Sequence, residues 1–532
     1  MRNDLRWWQT AVIYHIYPLS FSDSSGDGIG DLAGITSRLD YLRSLGVDAL
    51  WLSPIYASPM VDHGYDITDH KAINPMFGTL ADFERLVEEI RRRDMRLILD
   101  FVPGHTSDQH VWFQESRASL DSPKRDWYVW RDPGPEGGPP SNWMGYFGPS
   151  WTYDASTGQY YLHQHASMPD LNWRSPAVLE AMLGVLAFWL DKGVDGFRVD
   201  LIAAIIKDDQ FRDEPVSTAY LEHRNPYYSL EHIHTLDQAQ THDVVRELRR
   251  KLDAYGDRVM LGELDPIPGL MSYYGAALDE CHLPLNLHLQ NTPWQADAVR
   301  RVVDAYDSAL PPGAWPNWNV SNHDQSRVAS RVGVHQARVA QMLLMTLRGT
   351  PIWYYGDEIG MTDVQISSVR MRDAMGHLAH GGIFSRDPAR TPMQWDAGPN
   401  AGFSAPPEET WLPIAPAYET VNVAVQSEDP RSQLNLFRQL VALRRETPEL
   451  RVGTYRSIDF EPNGVFAYER RHLDARVVVA LNFRDADQCL DLASLAPDGD
   501  VLLSTELDRS GVEPLSGLKV RPNEGVVLRP VS

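Results

Sequence analysis

Short apolar runs rich in Val, Ile and aromatic residues alternate along the chain with longer segments whose apolar residues recur at helical spacing. The short runs predict eight buried strands, at 12–18, 48–53, 96–102, 195–201, 259–264, 283–289, 317–321 and 352–355. The longer segments predict helices in most of the gaps, at 31–45, 80–94, 177–192, 242–255, 296–310 and 335–348.

Alternating strands and helices predict a parallel sheet whose strands are connected by helical crossovers. Eight such units over roughly 400 residues favour an α/β fold of the (β/α)8 barrel type, with insertions. The alternative is a doubly wound sheet. That fold would carry a glycine-rich phosphate loop after its first strand, and the chain has none there.

Two regions depart from this alternation. Residues 103–171 are rich in Pro, Gly, Trp and Tyr and lack a long helical period, which predicts an irregular domain inserted after strand three. From residue 451 onwards, short alternating runs separated by Asp, Gly and Pro predict an antiparallel β domain at 451–532. The catalytic barrel is then expected at 1–102 and 172–450.

Composition excludes some partners. The 72 acidic and 49 basic side chains give a net charge of -23, so nucleic acid and anionic membranes would be repelled. The first ten residues lack the apolar run of a signal peptide, and no stretch approaches the ~18 apolar residues of a membrane span. A cytoplasmic protein, monomeric or homodimeric, is expected. Cys281 and Cys489 show neither zinc-ligand nor disulfide-scaffold spacing.

Carboxylates end several of the predicted strands, and the carboxyl ends of barrel strands form the active site of this fold. Asp100, Asp200 and Glu263 end strands three, four and five, and Arg198 lies on the same face as Asp200. Taken singly, each has an ordinary explanation, such as a helix N-cap or a salt bridge. Carboxylates gathered at one rim repel one another, so folding alone gives no reason to place them together. Glycoside hydrolysis does give one, because it needs two such carboxyl groups.

The segments that carry these residues resemble the α-amylase family of glycoside hydrolases, in particular its α-glucosidase and oligo-1,6-glucosidase members. The resemblance implies a (β/α)8 barrel and a retaining mechanism on α-glucosides. The matching motifs, in chain order, are IYHIYPLSFSDSSGDGIGDLAGI (13–35), LWLSPIYASPMVDHGYDI (50–67), DFVPGHTS (100–107), GVDGFRVD (193–200), GE (262–263), SNHDQSR (321–327), RGTPIWYYGDEIGM (348–361) and RDPARTPMQWD (386–396).

The resemblance also implies roles for individual residues. Asp200 matches the nucleophile, Glu263 the general acid/base and Asp324 the carboxylate that stabilises the transition state. Arg198 would orient Asp200 and keep it ionised. The remaining matches would bind glucose: His105 and His323 through its hydroxyls, Tyr65 by stacking, and Asp62 with Arg390 as a salt-bridged pair that closes the pocket around one terminal glucose.

The loop after strand one is a candidate calcium site. Its alternating oxygen-bearing residues suit a hard cation bound by carboxylates and one backbone carbonyl, although the bidentate Glu that would end an EF-hand loop is missing. The resemblance implies calcium in a structural role here, and the alternative is an Asp/Gly turn without metal. The expected ligands are Asp23, Ser25, Asp27, Ile29 and Asp31.

Four features depart from the family pattern. Gly104 stands where an Asn would help to bind a second calcium, so that site is not predicted. Met168 and nearby His165 alter a segment that would line the glucose site, and Leu201 follows the nucleophile where smaller residues are usual. The loop 217–236, rich in Tyr, His and Glu, could shape the aglycone side, but we favour a plain surface loop.

Three functions are compatible with these observations. The leading hypothesis is a retaining exo-α-glucosidase that acts on short α-glucosides. The second is a transglucosylase or isomerase, such as a trehalose or isomaltulose synthase, that uses the same glucosyl-enzyme but excludes water. The third is a non-catalytic protein on the same fold, which the three retained carboxylates and the lack of a membrane segment argue against.

Overall fold

The structure is a computed structural model that describes residues 5–134, 136–264, 269–378, 382–405, 409–459 and 464–531. Residues 1–4, part of the segment in which no signal peptide is predicted, lie outside the described residues. So do single residues or short segments of each predicted domain. In the part of the chain that is described, no helix is both long and apolar enough to cross a membrane.

Eight parallel strands form the central sheet, which confirms the predicted barrel. They are β1 (Ile13–Ile16), β2 (Ala49–Leu52), β3 (Arg96–Phe101), β4 (Gly196–Val199), β5 (Val259–Gly262), β6 (Leu283–Pro284), β7 (Asn317–Trp318) and β8 (Thr350–Tyr354). The hydrogen-bonded order is β6-β5-β4-β3-β2-β1-β8-β7. Nearly every residue of these strands is buried, because helices cover the sheet outside and side chains fill it inside.

The two end strands of this order are joined by a side chain. Asn317 of β7 accepts a hydrogen bond from the Asn286 backbone N–H at 3.0 Å and donates one to the Pro284 carbonyl at 2.6 Å. The predicted sixth strand, 283–289, is much shorter than expected. Pro284 offers no N–H to a neighbouring strand, and the chain turns into the helix His288–Asn291.

Helices lie between most strands, as predicted. The predicted helix 31–45 is divided at Arg38, whose ψ of 5° interrupts it. One outer helix that was not predicted, Gln433–Glu446, follows β8, with Ser432 as its N-cap. The principal helices are Leu32–Ser37, Leu39–Leu45, Leu80–Arg92, Pro176–Asp191, Ala239–Asp253, Ala296–Ala309, Val334–Thr346 and Gln433–Glu446. Shorter ones are Trp7–Thr10, Val111–Ala118, Val328–Val332, Val423–Glu428 and Pro448–Val452.

The segment between β3 and β4 is more regular than predicted. It contains a small antiparallel sheet in which Gln159–His165 pairs with Trp130–Arg131, Trp151–Asp154 and Met168–Pro169. A separate hairpin pairs Met144–Gly145 with Gly148–Pro149. The strands are short because glycines, prolines and turns interrupt them, which is why no period shows in the sequence.

The C-terminal region is an antiparallel β structure, as predicted. A six-stranded sheet runs in the order Thr454–Ile458, Val465–His472, Ala475–Asn482, Gly525–Val531, Asp498–Ser504 and Gly511–Pro514. A two-stranded sheet pairs Gln488–Asp491 with Ser516–Val520. The region is attached to the barrel through helix Val334–Thr346, for example by a hydrogen bond of 2.5 Å between Thr346 Oγ1 and the Tyr468 hydroxyl.

Candidate active site

A buried arginine holds three carboxyl groups at the carboxyl end of the barrel. Arg198 Nη1 donates to Asp200 Oδ1 at 2.7 Å and to Asp100 Oδ1 at 2.8 Å, while Nη2 lies 2.5 Å from Glu263 Oε1. Strand pairing brings these groups together, since Arg198 of β4 is in register with Asp100 of β3 and Glu263 directly follows β5. The predicted clustering of Asp100, Asp200 and Glu263 is therefore observed.

The two carboxyl groups predicted to be catalytic have raised pKa values. Burial raises the pKa of Asp200 to about 7, and the charges of Asp100 and Asp324 add to the rise, while Arg198 opposes it. Burial raises the pKa of Glu263 to about 8, with Asp200 adding and Arg198 again opposing. The negative charge of Asp200 raises the pKa of Glu263, so the pair favours one carboxylate and one carboxylic acid. A carboxylate at Asp200 beside a carboxylic acid at Glu263 is the arrangement that glycoside hydrolysis requires.

Leu201 places its backbone against Glu263. The residue has a left-handed conformation, with φ 41° and ψ 45°, which is strained for a residue with a Cβ atom. In this conformation its N–H donates to Glu263 Oε2 at 2.9 Å. The contact fixes one oxygen of Glu263 while Arg198 holds the other. The departure noted in the sequence therefore lies in contact with the predicted acid/base.

Tyr65, His323 and Asp324 form a second hydrogen-bonded group. The Tyr65 hydroxyl lies 2.7 Å from His323 Nε2 and 3.2 Å from Asp100 Oδ2, and the two rings are parallel at 5.6 Å between centroids. His323 Nε2 is also 3.2 Å from Asp324 Oδ2. Burial and the nearby charges of Arg390 and Arg198 hold the pKa of His323 well below its usual range, so its imidazole is neutral.

His105 lies on the other side of Tyr65. The His105 ring is buried, and its Nε2 is 3.2 Å from the Tyr65 carbonyl oxygen. Burial lowers the pKa of His105, so it too is neutral and can donate or accept one hydrogen bond per ring nitrogen. Neutral histidines of this kind suit the uncharged hydroxyl groups of a sugar.

The predicted salt bridge between Asp62 and Arg390 is wrong. Asp62 Oδ1 instead accepts from Arg386 Nη2 at 2.5 Å, and the same nitrogen donates to Asp373 at 2.7 Å. Arg390 donates to Asp324 Oδ1 at 3.0 Å and lies 3.2 Å from His63 Nδ1. A short 3-10 turn separates the two arginines and directs them to different carboxylates. Arg386 opens the RDPARTPMQWD motif, and this position could have identified it.

A cavity of about 410 Å³ opens above these groups, a volume within the range of small-molecule sites. Seven of the predicted residues line it. The other two, Arg198 and Arg390, are not part of the lining but contact carboxyl groups that are. The seven are Asp62, Tyr65, His105, Asp200, Glu263, His323 and Asp324. Met168, one of the departures, also lines the cavity, whereas His165 packs its ring against Phe147 and lies 2.7 Å from Ser167 Oγ.

The loop 217–236 contributes to the cavity, so its interpretation as a plain surface loop is wrong. Asn225 and Tyr228 line the cavity wall. Asn225 fixes the loop to the inserted segment, because its Nδ2 donates to the Tyr146 carbonyl at 3.0 Å and its Oδ1 accepts from the Tyr227 N–H at 2.9 Å. Sequence pattern gave no signal for this contact, which joins segments far apart in the chain.

The five predicted calcium ligands lie in one loop between β1 and the first outer helix. The Asp23 carboxylate accepts from the N–H groups of Ser25, Gly26 and Gly28, each at 2.8 Å. Asp31 caps the helix that follows, accepting from the Gly34 N–H at 2.6 Å. The donor set of carboxylates, a hydroxyl and a carbonyl suits a hard cation. In this structure, however, the Asp23 and Asp31 carboxylates accept hydrogen bonds from backbone N–H groups.

Among the described residues, Asp62, His63 and Asp373 form a group of acidic and imidazole side chains whose ligand atoms lie within 4.8 Å of one another, close enough to hold a metal ion. Two guanidinium groups already supply positive charge there, since Arg386 contacts both carboxylates and Arg390 contacts His63. The charge of Arg386 also holds the pKa of Asp373 well below its usual range, against the effect of burial. The cluster is therefore satisfied without a metal.

The family profile described as the α-amylase catalytic domain matches residues 15–453. The chain belongs to the α-amylase family of glycoside hydrolases. Among its relatives, an α-glucosidase of Culex pipiens is 40% identical over 98% of this chain and 90% of the relative. An oligo-1,6-glucosidase of Parageobacillus thermoglucosidasius is 36% identical over 98% and 99%, respectively.

Solved structures of the α-amylase family agree with the fold. An α-glucosyl transfer enzyme, XgtA, superimposes with a TM-score of 0.91 at 36% identity, covering 99% of this chain and 100% of that one. The trehalulose synthase MutB of Pseudomonas mesoacidophila gives 0.89 at 33% identity, covering 99% of both chains. The family match ends one residue before the first strand of the C-terminal sheet, Thr454–Ile458.

Proposed function

We propose that the protein is a retaining exo-α-glucosidase that releases α-glucose from the non-reducing end of short α-glucosides. The observation that carries the proposal is the placement of Asp200 and Glu263 on separate nitrogens of the Arg198 guanidinium, within one cavity. Retaining glycosidases hold their two carboxyl groups about 5–5.5 Å apart, whereas inverting ones leave room for a water molecule between them. Carboxyl groups sharing one guanidinium favour the retaining arrangement.

The proposed reaction has two steps. Asp200 attacks the anomeric carbon and forms a glucosyl ester, while Glu263 gives its proton to the departing oxygen. Glu263, now ionised, removes a proton from water, which cleaves the ester and releases glucose in its original α configuration. Asp324, held by Arg390 and Arg386, supplies negative charge that stabilises the oxocarbenium-like transition states.

The shape of the cavity supports action on a terminal glucose. Asp62 is fixed by Arg386, and Arg386 also contacts Asp324 at 3.3 Å. Three charged side chains thus cross-link the loops after β2, β7 and β8 beside the sugar site. Because these side chains close one side of the sugar site, a substrate can enter only with its terminal glucose. The family relatives named α-glucosidase and oligo-1,6-glucosidase support the same conclusion.

Product analysis tests the proposal against a transglucosylase or isomerase. The purified protein is incubated with maltose, isomaltose, sucrose and trehalose, and products are followed by chromatography and by proton NMR of the anomeric signals. We expect free glucose as the main product, and from sucrose, whose one glucose unit is the unit transferred, it should appear first as the α anomer. A rearranged disaccharide from sucrose as the main product would indicate an isomerase, and glucose appearing first as the β anomer from sucrose would contradict retention.

We also propose that the loop of Asp23, Ser25, Asp27, Ile29 and Asp31 binds calcium in a structural role. A ligand present at 100 times its Kd stabilises a folded protein by about 2.7 kcal/mol. Removal of calcium with EDTA is expected to lower the Tm by several degrees, and added Ca²⁺ to restore it, in the wild type but not in Asp27→Asn. An unchanged Tm on chelation would contradict the proposal.

A cytoplasmic location and a monomeric or homodimeric state are likewise proposals.

A further inference from the structure

The loop 217–236 begins and ends beside one buried carboxylate. Glu214 lies just before the loop and is 3% exposed. Its Oε1 accepts hydrogen bonds from the Thr235 N–H at 2.7 Å and from the Thr235 hydroxyl at 2.8 Å. The His234 N–H lies 2.9 Å from Oε1 and 3.1 Å from Oε2. The chain thus leaves Glu214 and returns to it 20 residues later, at His234.

The backbone of Glu214 is itself fixed to the inserted segment. The Glu214 N–H donates to Asn142 Oδ1 at 2.8 Å, and Asn142 Nδ2 donates to the Glu214 carbonyl at 2.9 Å. The neighbouring Asp213 carboxylate accepts from the Asn142 N–H at 2.8 Å. The Glu214 carboxylate therefore holds the end of the loop against a fixed point of the structure.

From this carboxylate, a series of contacts leads along the loop to the substrate cavity. The Thr235 hydroxyl lies 3.0 Å from His232 Nδ1. His232 Nε2 in turn donates to the Tyr227 carbonyl oxygen at 2.8 Å, and the two rings are stacked at 3.8 Å between centroids. Tyr228, next in the chain, lines the cavity. We call Glu214, Thr235, His232 and Tyr227 the loop relay.

The loop lies on the side of the cavity where the leaving group departs. Tyr227, Thr235 and Leu236 line a narrow space of about 30 Å³ that Glu263 also lines. Glu263 is the proposed proton donor to the leaving oxygen, so the sugar bound through that oxygen is released on this side. Tyr228 of the loop shares the substrate cavity with Glu263 and lies where a second sugar ring must pass.

We propose that Glu214 is a positioning residue for the leaving group, because it fixes, through the loop relay, the cavity wall against which a second sugar binds. The inference rests on the proposed α-glucosidase function and assigns a residue that does not itself line the cavity. Without the carboxylate, two backbone N–H groups and a hydroxyl lose their buried acceptor, which favours other conformations of the loop. A site that is competent in only a fraction of the molecules binds its substrate more weakly by that fraction.

Glu214→Ala tests the inference with two substrates that differ only in the leaving group. Maltose carries a second glucose, whereas α-glucosyl fluoride carries a single fluorine atom that is too small to extend beyond the catalytic carboxyl groups. For maltose we expect kcat/KM to fall about 10- to 100-fold, mainly through KM, the effect of losing hydrogen bonds to a charged group. For α-glucosyl fluoride it should stay within about twofold of the wild type, because no interaction with that substrate is removed.

Two further variants test the relay itself. Glu214→Gln should restore most of the maltose activity, because its Oε1 can still accept from Thr235 and His234. Thr235→Val keeps the size of the side chain but breaks the second contact, and should lower kcat/KM for maltose alone by about two- to tenfold. In Tyr228→Ala, where the wall is already incomplete, Glu214→Ala should have a smaller further effect than in the wild type.

Asp154→Ala is the matched control. Asp154 is also a buried carboxylate, 1% exposed, and accepts from the Ser156 and Thr157 hydroxyls of a turn in the inserted segment, but it does not line the cavity. It should keep the wild-type ratio of the two substrates whatever its Tm.

An unchanged ratio in folded Glu214→Ala, or in Thr235→Val where Glu214→Ala does not fold, would overturn the inference. An equal loss on maltose and α-glucosyl fluoride would overturn it as well, since it would show a general effect on the site. A wild-type protein that hydrolyses neither substrate would instead contradict the proposed function.

Discussion

Replacement of Asp200 by Asn is expected to abolish hydrolysis of maltose, and Glu263→Gln to lower it by about 10²- to 10⁴-fold, the usual contribution of a general acid/base. Asn cannot form the glucosyl ester, and Gln cannot protonate the departing sugar oxygen. Both substitutions are nearly isosteric. Initial rates with maltose and with p-nitrophenyl α-glucoside are measured beside Tm values, which show that each variant is folded.

The leaving group separates the two variants. The p-nitrophenolate ion leaves without a proton, so Glu263→Gln should form the glucosyl ester from this substrate far faster than from maltose. Asp200→Asn should be inactive on both. Near-full activity of either variant on maltose would contradict its assigned role.

The pH profile follows from the same pair. Activity needs ionised Asp200, whose pKa is raised to about 7, and protonated Glu263, whose pKa is raised to about 8. The kcat/KM of the wild type should therefore fall on the acidic side through Asp200 and on the alkaline side through Glu263. Glu263→Gln, assayed on p-nitrophenyl α-glucoside, should lack the alkaline decrease, since Gln does not ionise.

Replacement of Arg198 by Gln is the second change with a large expected effect. The guanidinium is 2% exposed and opposes the raised pKa values of Asp100, Asp200 and Glu263. Without it, Asp200 should remain protonated at neutral pH and activity should fall by at least about 10³-fold, corresponding to ~4 kcal/mol of transition-state stabilisation. The acidic limb of any residual activity should move to higher pH.

The same variant should be destabilised, and more so at higher pH. Loss of one partner of a buried ion pair leaves uncompensated charge and costs about 3–5 kcal/mol. In the variant the folded state holds protons on its buried carboxyls above pH 4 that the unfolded state has lost, so stability falls as pH rises. Urea denaturation at pH 5 and pH 7.5 measures this. Arg92→Gln, which breaks ion pairs of an exposed helix face, is the control and should change stability by less than about 1 kcal/mol.

Much of the barrel could be predicted because buried parallel strands are apolar throughout and therefore stand out in the sequence. Strand six is shorter than the sequence predicts because Leu285 and Leu287 continue an apolar run after the pairing has ended at Pro284. The helix Gln433–Glu446 is not among the predicted helices, although its apolar residues recur at helical spacing. The sequence predicts no strands in the inserted segment because they are too short to show a period.

The floor of the site was predicted because strand ends and motifs indicate the same residues. The partner of Asp62 was not, since Arg386 and Arg390 stand in one motif and only the turn between them determines their directions. The wall of the cavity could not be predicted either. Tyr146, Tyr228 and Ile383 come from three loops that meet only in the folded chain, and no periodicity relates loops to one another.

The configuration of glucosyl azide tests the roles of Asp200 and Glu263 most directly. Glu263→Ala and Asp200→Gly are each incubated with p-nitrophenyl α-glucoside and azide, and the adduct is identified by NMR. Azide that cleaves the ester on Asp200 in Glu263→Ala should give α-glucosyl azide, after two inversions. Azide that replaces the missing nucleophile in Asp200→Gly should give β-glucosyl azide, after one. Exchanged configurations, or no adduct from either variant, would contradict the assignment.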